Sequence, residues 1–322
     1  MTRISRRTVL AGLAAFGLPM SAKAAWPERP IVLIHGFGPG GGVDVTARIL
    51  ATGLSKRLGQ PVVVESKPGA ATTIAAGQLA RAAPDGYTLA LFASTYGAAA
   101  AMYRKLAFRP VDDFSTISMV AEYPYVFAIN AENPVQSFSD LLKVARSSSK
   151  PLLFGTPGLG SAQHLLVEQL GQMTKIKFQH VPFRGGAQAL NELLAKRIDF
   201  MVDPPTILVQ QANSGKVRIL AVTSAKRFSG LPNTPTVAET GVPGFDVPGW
   251  VGLVAPAGLP EPVVTKLASA VAAVLAEPEV VERFRALSDD PTPSSPGQLK
   301  ARIASDISRW TSVIDLAKIA RV

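Results

Sequence analysis

Between Ile31 and Leu58 the chain passes from an apolar strand pattern, IVLI (31–34), through a glycine-packed turn, HGFGPGGGVD (35–44), into an amphipathic helix. Five glycines fall within Gly36–Gly42. The turn therefore carries little side-chain bulk, and its backbone N–H groups can face a partner directly. The helix that follows adds unpaired N–H donors and the positive end of its dipole. Such a strand–turn–helix belongs in α/β layers and can seat a small anion without any catalytic group.

The first residues read as an address rather than as fold. Ser5-Arg6-Arg7-Thr8-Val9-Leu10 matches a twin-arginine export signal, and an apolar stretch from Val9 to Leu18 leads to an A-x-A pattern at Ala22-Lys23-Ala24. That stretch is too short to span a bilayer, which takes about 20 residues. Residues 1–24 are expected to be a signal peptide cleaved near Ala24-Ala25, releasing a free protein into the periplasm. Removing 24 of the 322 residues leaves 298, enough for two lobes with separate cores. The chain has no cysteine, which removes disulfides, thiolate metal sites, a thiol nucleophile and a lipid-carrying cysteine. The formal charge is +10, and losing Arg3, Arg6, Arg7 and Lys23 with the signal lowers it to +6. The remaining Lys and Arg are scattered without interleaved aromatics, so nucleic-acid binding has no support.

Apolar strand-like runs alternate with helical patterns along most of the chain, as α/β architecture requires. VVVE (62–65) precedes a helix-like stretch from Ala71 to Ala83, and a strand follows from Tyr87 to Ser94. Ile117–Asn130 reads as one extended run broken at Pro124, a candidate crossing between lobes. Ser137 and Asp140 form a capping box for a helix to about Arg146. Three strand–turn–helix units come next: LLFG (152–155) into a helix from Ser161, IKFQHV (176–181) into one from Gly186, and IDFMV (198–202) into one near Ile207. RILAVT (218–223) is a further strand, Leu231–Pro248 an irregular excursion, and Trp250–Ala255 a second crossing. Three helices finish the chain, the last capped by Ser295 with Pro296 and Gln298. Their apolar faces are expected to cover the first lobe's sheet.

Several chemistries compete for these turns. Gly36-x-Gly38-x-x-Gly41 after a strand, with Glu65 ending the next one, matches a dinucleotide fingerprint. A twin-arginine-exported, dinucleotide-dependent oxidoreductase is therefore the alternative to a binding protein. Pro39 removes an N–H where a pyrophosphate needs one, and the helix begins one residue late. Asp44 in the helix's first turn suits a cap or dipole partner that shapes the loop. In the second loop, Thr156–His164, Ser161 can cap the helix and join the following N–H groups in holding a carboxylate. As a nucleophile with His164 as base it lacks the G-x-S-x-G elbow, and i,i+3 on a helix is poor geometry. His164 reads as a hydrogen-bonded framework residue. The third loop, Pro182–Gly186, adds the cation Arg184. Asp203, ending a strand, could accept an amine or cap the next helix. His35, His164 and His180 have no metal-ligand spacing. No acid–base set emerges, so the reading is binding without turnover, with no metal and no cofactor.

In order and spacing, these residues resemble the extracytoplasmic solute receptors of tripartite tricarboxylate transporters, the Bug-type or TctC-like proteins. The likeness runs from Trp26 to the C-terminus through Trp26-Pro27, Pro30-Ile31, Pro39-Gly40-Gly41 with Asp44, Ala47-Arg48, Gly59-Gln60-Pro61, Pro68-Gly69-Ala70 and Pro84–Leu89. It continues through Gly160-Ser161, His164-Leu165, Val181-Pro182-Phe183 with Gly185, Leu220–Thr223, Pro235-Thr236 with Glu239, and Trp250 with Gly252-Leu253 and Ala255-Pro256. The resemblance implies a two-lobed type II periplasmic-binding-protein fold, α/β throughout, with a ligand cleft between lobes. Lobe 1 would comprise residues 25–122 and 249–322, and lobe 2 residues 123–248. It also implies a small carboxylate held by backbone groups and water from Phe37, Gly38, Pro39, Gly40, Gly41 and Gly42 and from Gly158, Gly160, Ser161 and Ala162. Ser94 and Thr95 would lie nearby on the first lobe, and Arg184, Gly185, Gly186 and Asp203 on the second. The implied partners are a large and a small membrane subunit driven by an ion gradient; nothing in the chain calls for an oligomer. A role beside a membrane sensor kinase would use the same binding event. The chain departs from the family pattern at His35-Gly36, Gly38, Gly42-Val43, Ser66 and Thr72-Thr73, which leaves the ligand's identity open.

Overall fold

Two β-sheets organise the chain, and it passes between them twice. The computed structural model describes residues 26–183 and 185–322; the signal peptide expected at residues 1–24, Ala25 and Arg184 lie outside the described residues. The chain opens with β1 (Ile31–His35), α1 (Gly42–Leu58), β2 (Val62–Ser66), α2 (Thr73–Ala80), β3 (Thr88–Ala93), α3 (Ser94–Met102) and β4 (Phe114–Tyr123). After Pro124 come β5 (Val126–Asn130), α4 (Phe138–Ser147), β6 (Leu152–Thr156), α5 (Ala162–Thr174), β7 (Phe178–Pro182), α6 (Gly186–Leu194), β8 (Phe200–Asp203), α7 (Pro205–Asn213) and β9 (Val217–Val222). It returns through β10 (Gly249–Pro256) and ends with α8 (Glu261–Leu275), α9 (Pro278–Ala286), β11 (Asp290–Pro291) and α10 (Pro296–Ala317).

The sheet orders are β11-β4-β10-β3-β1-β2 and β7-β6-β8-β5-β9. The passage at Pro124 and the return at β10 are the two crossings that the extended runs predict. Both faces of each sheet are buried, which is why β5 and β10 are apolar without alternation. Ile31 and Leu33 pack with Leu50 and Leu54 of α1 and Leu267 and Val271 of α8. On the opposite face, Ile34 and Phe92 meet Leu79, Tyr96, Leu299 and Ile303. In the second sheet Phe127, Phe154 and Phe200 face Phe138 and Leu165, while Val126, Ala128 and Met201 face Leu193 and Leu208. Ser137 and Ser295 cap α4 and α10 as their spacing predicts, the latter in a complete capping box.

Three local expectations are corrected. The helix expected from Ala71 starts at Thr73, because Ala70, Ala71 and Thr72 take left-handed φ values of 45°, 49° and 78°. Ser94 does not end a strand; it opens α3 without an intervening turn. The C-terminal helices do not all cover the first sheet. α8 and α9 do, but Trp310, Val313 and Ile314 of α10 sit in the second sheet's core with Ala98, Ala101 and Met102 of α3.

α10 also clamps the crossings. Arg302 donates to Glu122 Oε1 beside the first crossing (2.8 Å) and to the Pro248 carbonyl beside the second (2.8 Å). Trp250 Nε1–H donates to buried Asp306 (2.6 Å). Buried Thr223 joins the crossings directly: its Oγ1 accepts the Tyr125 N–H (2.9 Å) and donates to the Val247 carbonyl (2.8 Å). Thr223→Val keeps the shape but strands a buried N–H and a buried C=O, at a cost of about 1–3 kcal/mol. Urea denaturation should show that loss; an unchanged midpoint would mean the crossings do not depend on the hydroxyl.

Candidate functional site

Strand directions bring the expected loops together. β10 runs antiparallel to both β3 and β4, and β1 runs parallel to β3. The C-terminal ends of β1, β3 and β4 therefore share one sheet edge. In the second sheet Val126 at the start of β5 pairs with Asp203 at the end of β8, and β6 and β7 run parallel to β8. The short crossing from Tyr123 to Val126 joins these two edges. Among the helices that start there are α1, α3, α5, α6 and α7. Of the five, α5 has a side-chain cap, supplied by Ser161, and the other four have none. Uncapped first turns present N–H donors and positive potential, a setting that favours an anion.

The first loop is braced from within. Asp44, in the first turn of α1, accepts the Gly40 N–H (2.9 Å) and two bonds from Arg48 (3.0 and 3.1 Å). Its Oδ1 lies 3.0 Å from Nε2 of fully buried His35. His35 Nδ1 accepts the Phe37 N–H (3.4 Å), and the Phe37 carbonyl accepts from Ser66 (2.5 Å). Chiefly the Arg48 bonds hold the Asp44 carboxyl down at about 2, while burial depresses His35 despite its aspartate partner. Glycine alone does not shape this loop. The N–H groups of Phe37 and Gly40 turn inward and are already paired. Gly38, Pro39, Gly41 and Gly42 are exposed, with the α1 start behind them.

The second loop follows the same plan. Gly158 N–H donates to Thr156 Oγ1 (3.3 Å), Gly160 N–H to His164 Nδ1 (3.2 Å), and Ser161 N–H to the Gly158 carbonyl (3.2 Å). Ser161 Oγ accepts the His164 N–H (3.2 Å), leaving its own proton to donate. The His164 ring stacks on His180 at 3.9 Å, and His180 Nε2 lies 2.6 Å from Thr156 Oγ1. Burial, with the His164 charge second, pushes His180 down to about 3. Neither ring nitrogen of His164 faces Ser161: Nδ1 holds Gly160, and Nε2 is 3.6 Å from Glu168. No nucleophile–base pair exists here. Gly160 also approaches the first-sheet side, since a Cβ there would lie 2.7 Å from Met102 Cγ.

Between the loops, buried Ser94 Oγ bonds Tyr125 OH (2.8 Å) and accepts the Trp250 N–H (3.4 Å). Thr95 is half-buried in the first turn of α3. Asp203 is buried, and its Oδ1 accepts from Gln163 Nε2 (2.9 Å). Gly185 and Gly186 begin α6 directly over that carboxylate: a Cβ on Gly186 would lie 1.9 Å from Asp203 Oδ2. Sequence reasoning singled out the loops and Asp203 but passed over Gln163, Tyr125, and His35 and His180 as braces. Only Arg48 had a local signal, its i,i+4 spacing from Asp44. No His/Asp/Glu group suited to a metal occurs among the described residues.

The family model for the tripartite tricarboxylate transporter family receptor matches residues 46–319. The chain belongs to this receptor family. Similar solved structures include the periplasmic binding protein BugD, 35% identical with a TM-score of 0.80, covering 92% of this chain and 99% of that one. Rpa4515 of R. palustris with adipate is 33% identical with a TM-score of 0.83, covering 92% and 100%. MatC of Rhodopseudomonas palustris with bound malate is 34% identical with a TM-score of 0.78, covering 90% and 100%. The fold is thus the two-lobed periplasmic-binding-protein architecture. The receptor is not an enzyme of the oxidoreductase kind that the glycine fingerprint raised, a reading that neither the family nor these structures support.

Burial raises the Asp203 carboxyl from 3.8 to about 7, with the Gln163 bond countering only in part. A carboxyl raised on folding contributes stability below its unfolded value, and that contribution is lost as pH rises through the folded one. Asp203→Asn should therefore stabilise the unliganded receptor near pH 8 and give no advantage near pH 4. Urea titrations at both pH values check this. A gain equal at both would show that folding does not raise the Asp203 carboxyl.

Proposed function

We propose that the receptor captures a small organic carboxylate in the periplasm and delivers it to the large and small membrane subunits of a tripartite tricarboxylate-type secondary transporter. The observation that carries this reading is the meeting of five helix starts on two sheet edges joined by short crossings. That arrangement supplies fixed N–H donors for an anion and nothing that would transform it. The adipate and malate carried by two similar receptors support the ligand class.

In this reading residues 1–24 direct export and are removed, and the chain acts as a monomer. Residues 25–122 and 249–322 form one lobe and residues 123–248 the other. The exposed first-loop segment Gly38–Gly42 and the α1 start take one end of the ligand, with Phe37 and Asp44 shaping the loop. The Ser161 hydroxyl and the Ala162 and Gln163 N–H groups take a carboxylate on the second lobe, held in place by Gly158, Gly160 and His164. Ser94 and Thr95 line the first lobe, and Arg184, Gly185, Gly186 and Asp203 the second.

Thermal unfolding with a panel of carboxylates tests the assignment. An acid present at a hundredfold its Kd stabilises by about 2.7 kcal/mol, a rise in melting temperature of roughly 4–5 °C at this size. Ser161→Ala should shrink that rise. If no carboxylate raises the melting temperature the receptor reading falls; if Ser161→Ala keeps the full rise, the second-lobe assignment falls.

A further inference from the structure

Gln163 and Asp203 hold each other by one atom apiece, and the other atom of each has no partner. Gln163 Nε2 donates to Asp203 Oδ1 at 2.9 Å. Among the described residues, Gln163 Oε1 and Asp203 Oδ2 are both buried and accept nothing. Relative exposure is 7% for Gln163 and 3% for Asp203. Buried acceptors left bare are costly, and a carboxylate without a counter-charge more so. Among the described residues no cationic side chain acts on Asp203. The pair lies at the meeting edge, with Gln163 in the first turn of α5 one residue from Ala162 and Asp203 at the end of β8. Gly186, which Asp203 Oδ2 nearly touches, is the first residue of α6, and the helix start carries no side-chain cap. An entering group reaches Asp203 Oδ2 when this glycine turn moves aside.

We propose that Asp203 and Gln163 form an ammonium subsite and that the receptor's ligand is an α-amino acid. Two adjacent acceptors with no donor call for a group that only donates. An ammonium has three N–H donors and no acceptor, whereas a hydroxyl brings one donor and two acceptors of its own. The ammonium also supplies the charge that the buried carboxylate lacks. Spacing favours the α-position. Gln163 sits in the same helical turn as the Ser161 hydroxyl and the first N–H groups of α5, so the ligand's ammonium and carboxylate fall within one turn of each other. This inference rests on the carboxylate-receptor reading and narrows it.

Titration calorimetry on the purified receptor with matched acids separates the two. The probes are succinate, malate and aspartate, then glutarate, 2-hydroxyglutarate and glutamate, then propionate, lactate and alanine. In at least one series the amino member should bind tenfold or more tightly than both its hydroxy and its unsubstituted counterparts. Asp203→Asn should abolish that preference, so that on this variant the amino member binds no more tightly than its own unsubstituted counterpart, and Gln163→Leu should reduce the preference. A merely structural role for the pair would lower all affinities together and leave the ratio alone. Equal affinity within every series, or a preference that survives Asp203→Asn, overturns the ammonium subsite while the receptor reading stands. If no acid of any series binds, both fall.

Discussion

The geometry of the site depends on how the two crossings are held. The first is a bare strand-to-strand passage and the second returns from the irregular segment 223–248 into β10, and alone neither would fix one sheet edge against the other. Thr223 bonds the backbone of both, and Arg302 from α10 bonds a residue beside each. Because Arg302 and Asp306 lie one turn apart, the helix that reaches the crossings also secures Trp250 at the start of β10. Loops distant in sequence therefore meet at a position set by buried hydrogen bonds rather than by the loops themselves.

Within that frame the site runs on two carboxylates in opposite circumstances. Asp44 is surrounded by donors and stays ionised far below the usual range. Its charge is spent on loop shape, so it does not repel an anion at the exposed amides. Asp203 has a single neutral donor, and burial lifts it into the neutral range. One carboxylate is satisfied and structural; the other, among the described residues, is left wanting a donor at the sheet edge where α6 begins. The histidines follow Asp44. His35 and His164 each accept a loop N–H at Nδ1, converting a glycine turn into a fixed one.

Much of this was legible from residue order. Proline and glycine punctuate the strand–helix alternation, and apolar runs bounded by them locate both sheets and both crossings. What escaped is what depends on distant partners. Ser94 follows Ala93 with no turn residue between, and α3 is buried on nearly every side, so it shows neither a boundary nor an amphipathic stripe. Ala70, Ala71 and Thr72 adopt conformations that ordinarily announce themselves with glycine. α10 shows an apolar face at Leu299 and Ile303 and again at Trp310 and Ile314, but periodicity does not say that the two halves serve different sheets. At the site, the helix starts were readable. The pairing of Thr156 with His180 and of Gln163 with Asp203 was not, because it joins strands adjacent only in the folded sheet.

α10 also constrains how the cleft can work. Met102 of α3 and Trp310 and Ile314 of α10 contribute to the second sheet's core, and Gln172 of α5 donates to the Val313 carbonyl of α10 (3.0 Å). Separating the lobes outright would expose these side chains to water at about 25 cal/mol per Å², far more than a small ligand returns. Relative motion is therefore confined to bending about the crossings and the α3–α10 contact. In the proposed reading, the ligand meets the sheet edges where α1, α3, α5, α6 and α7 begin, on the side away from that contact's core.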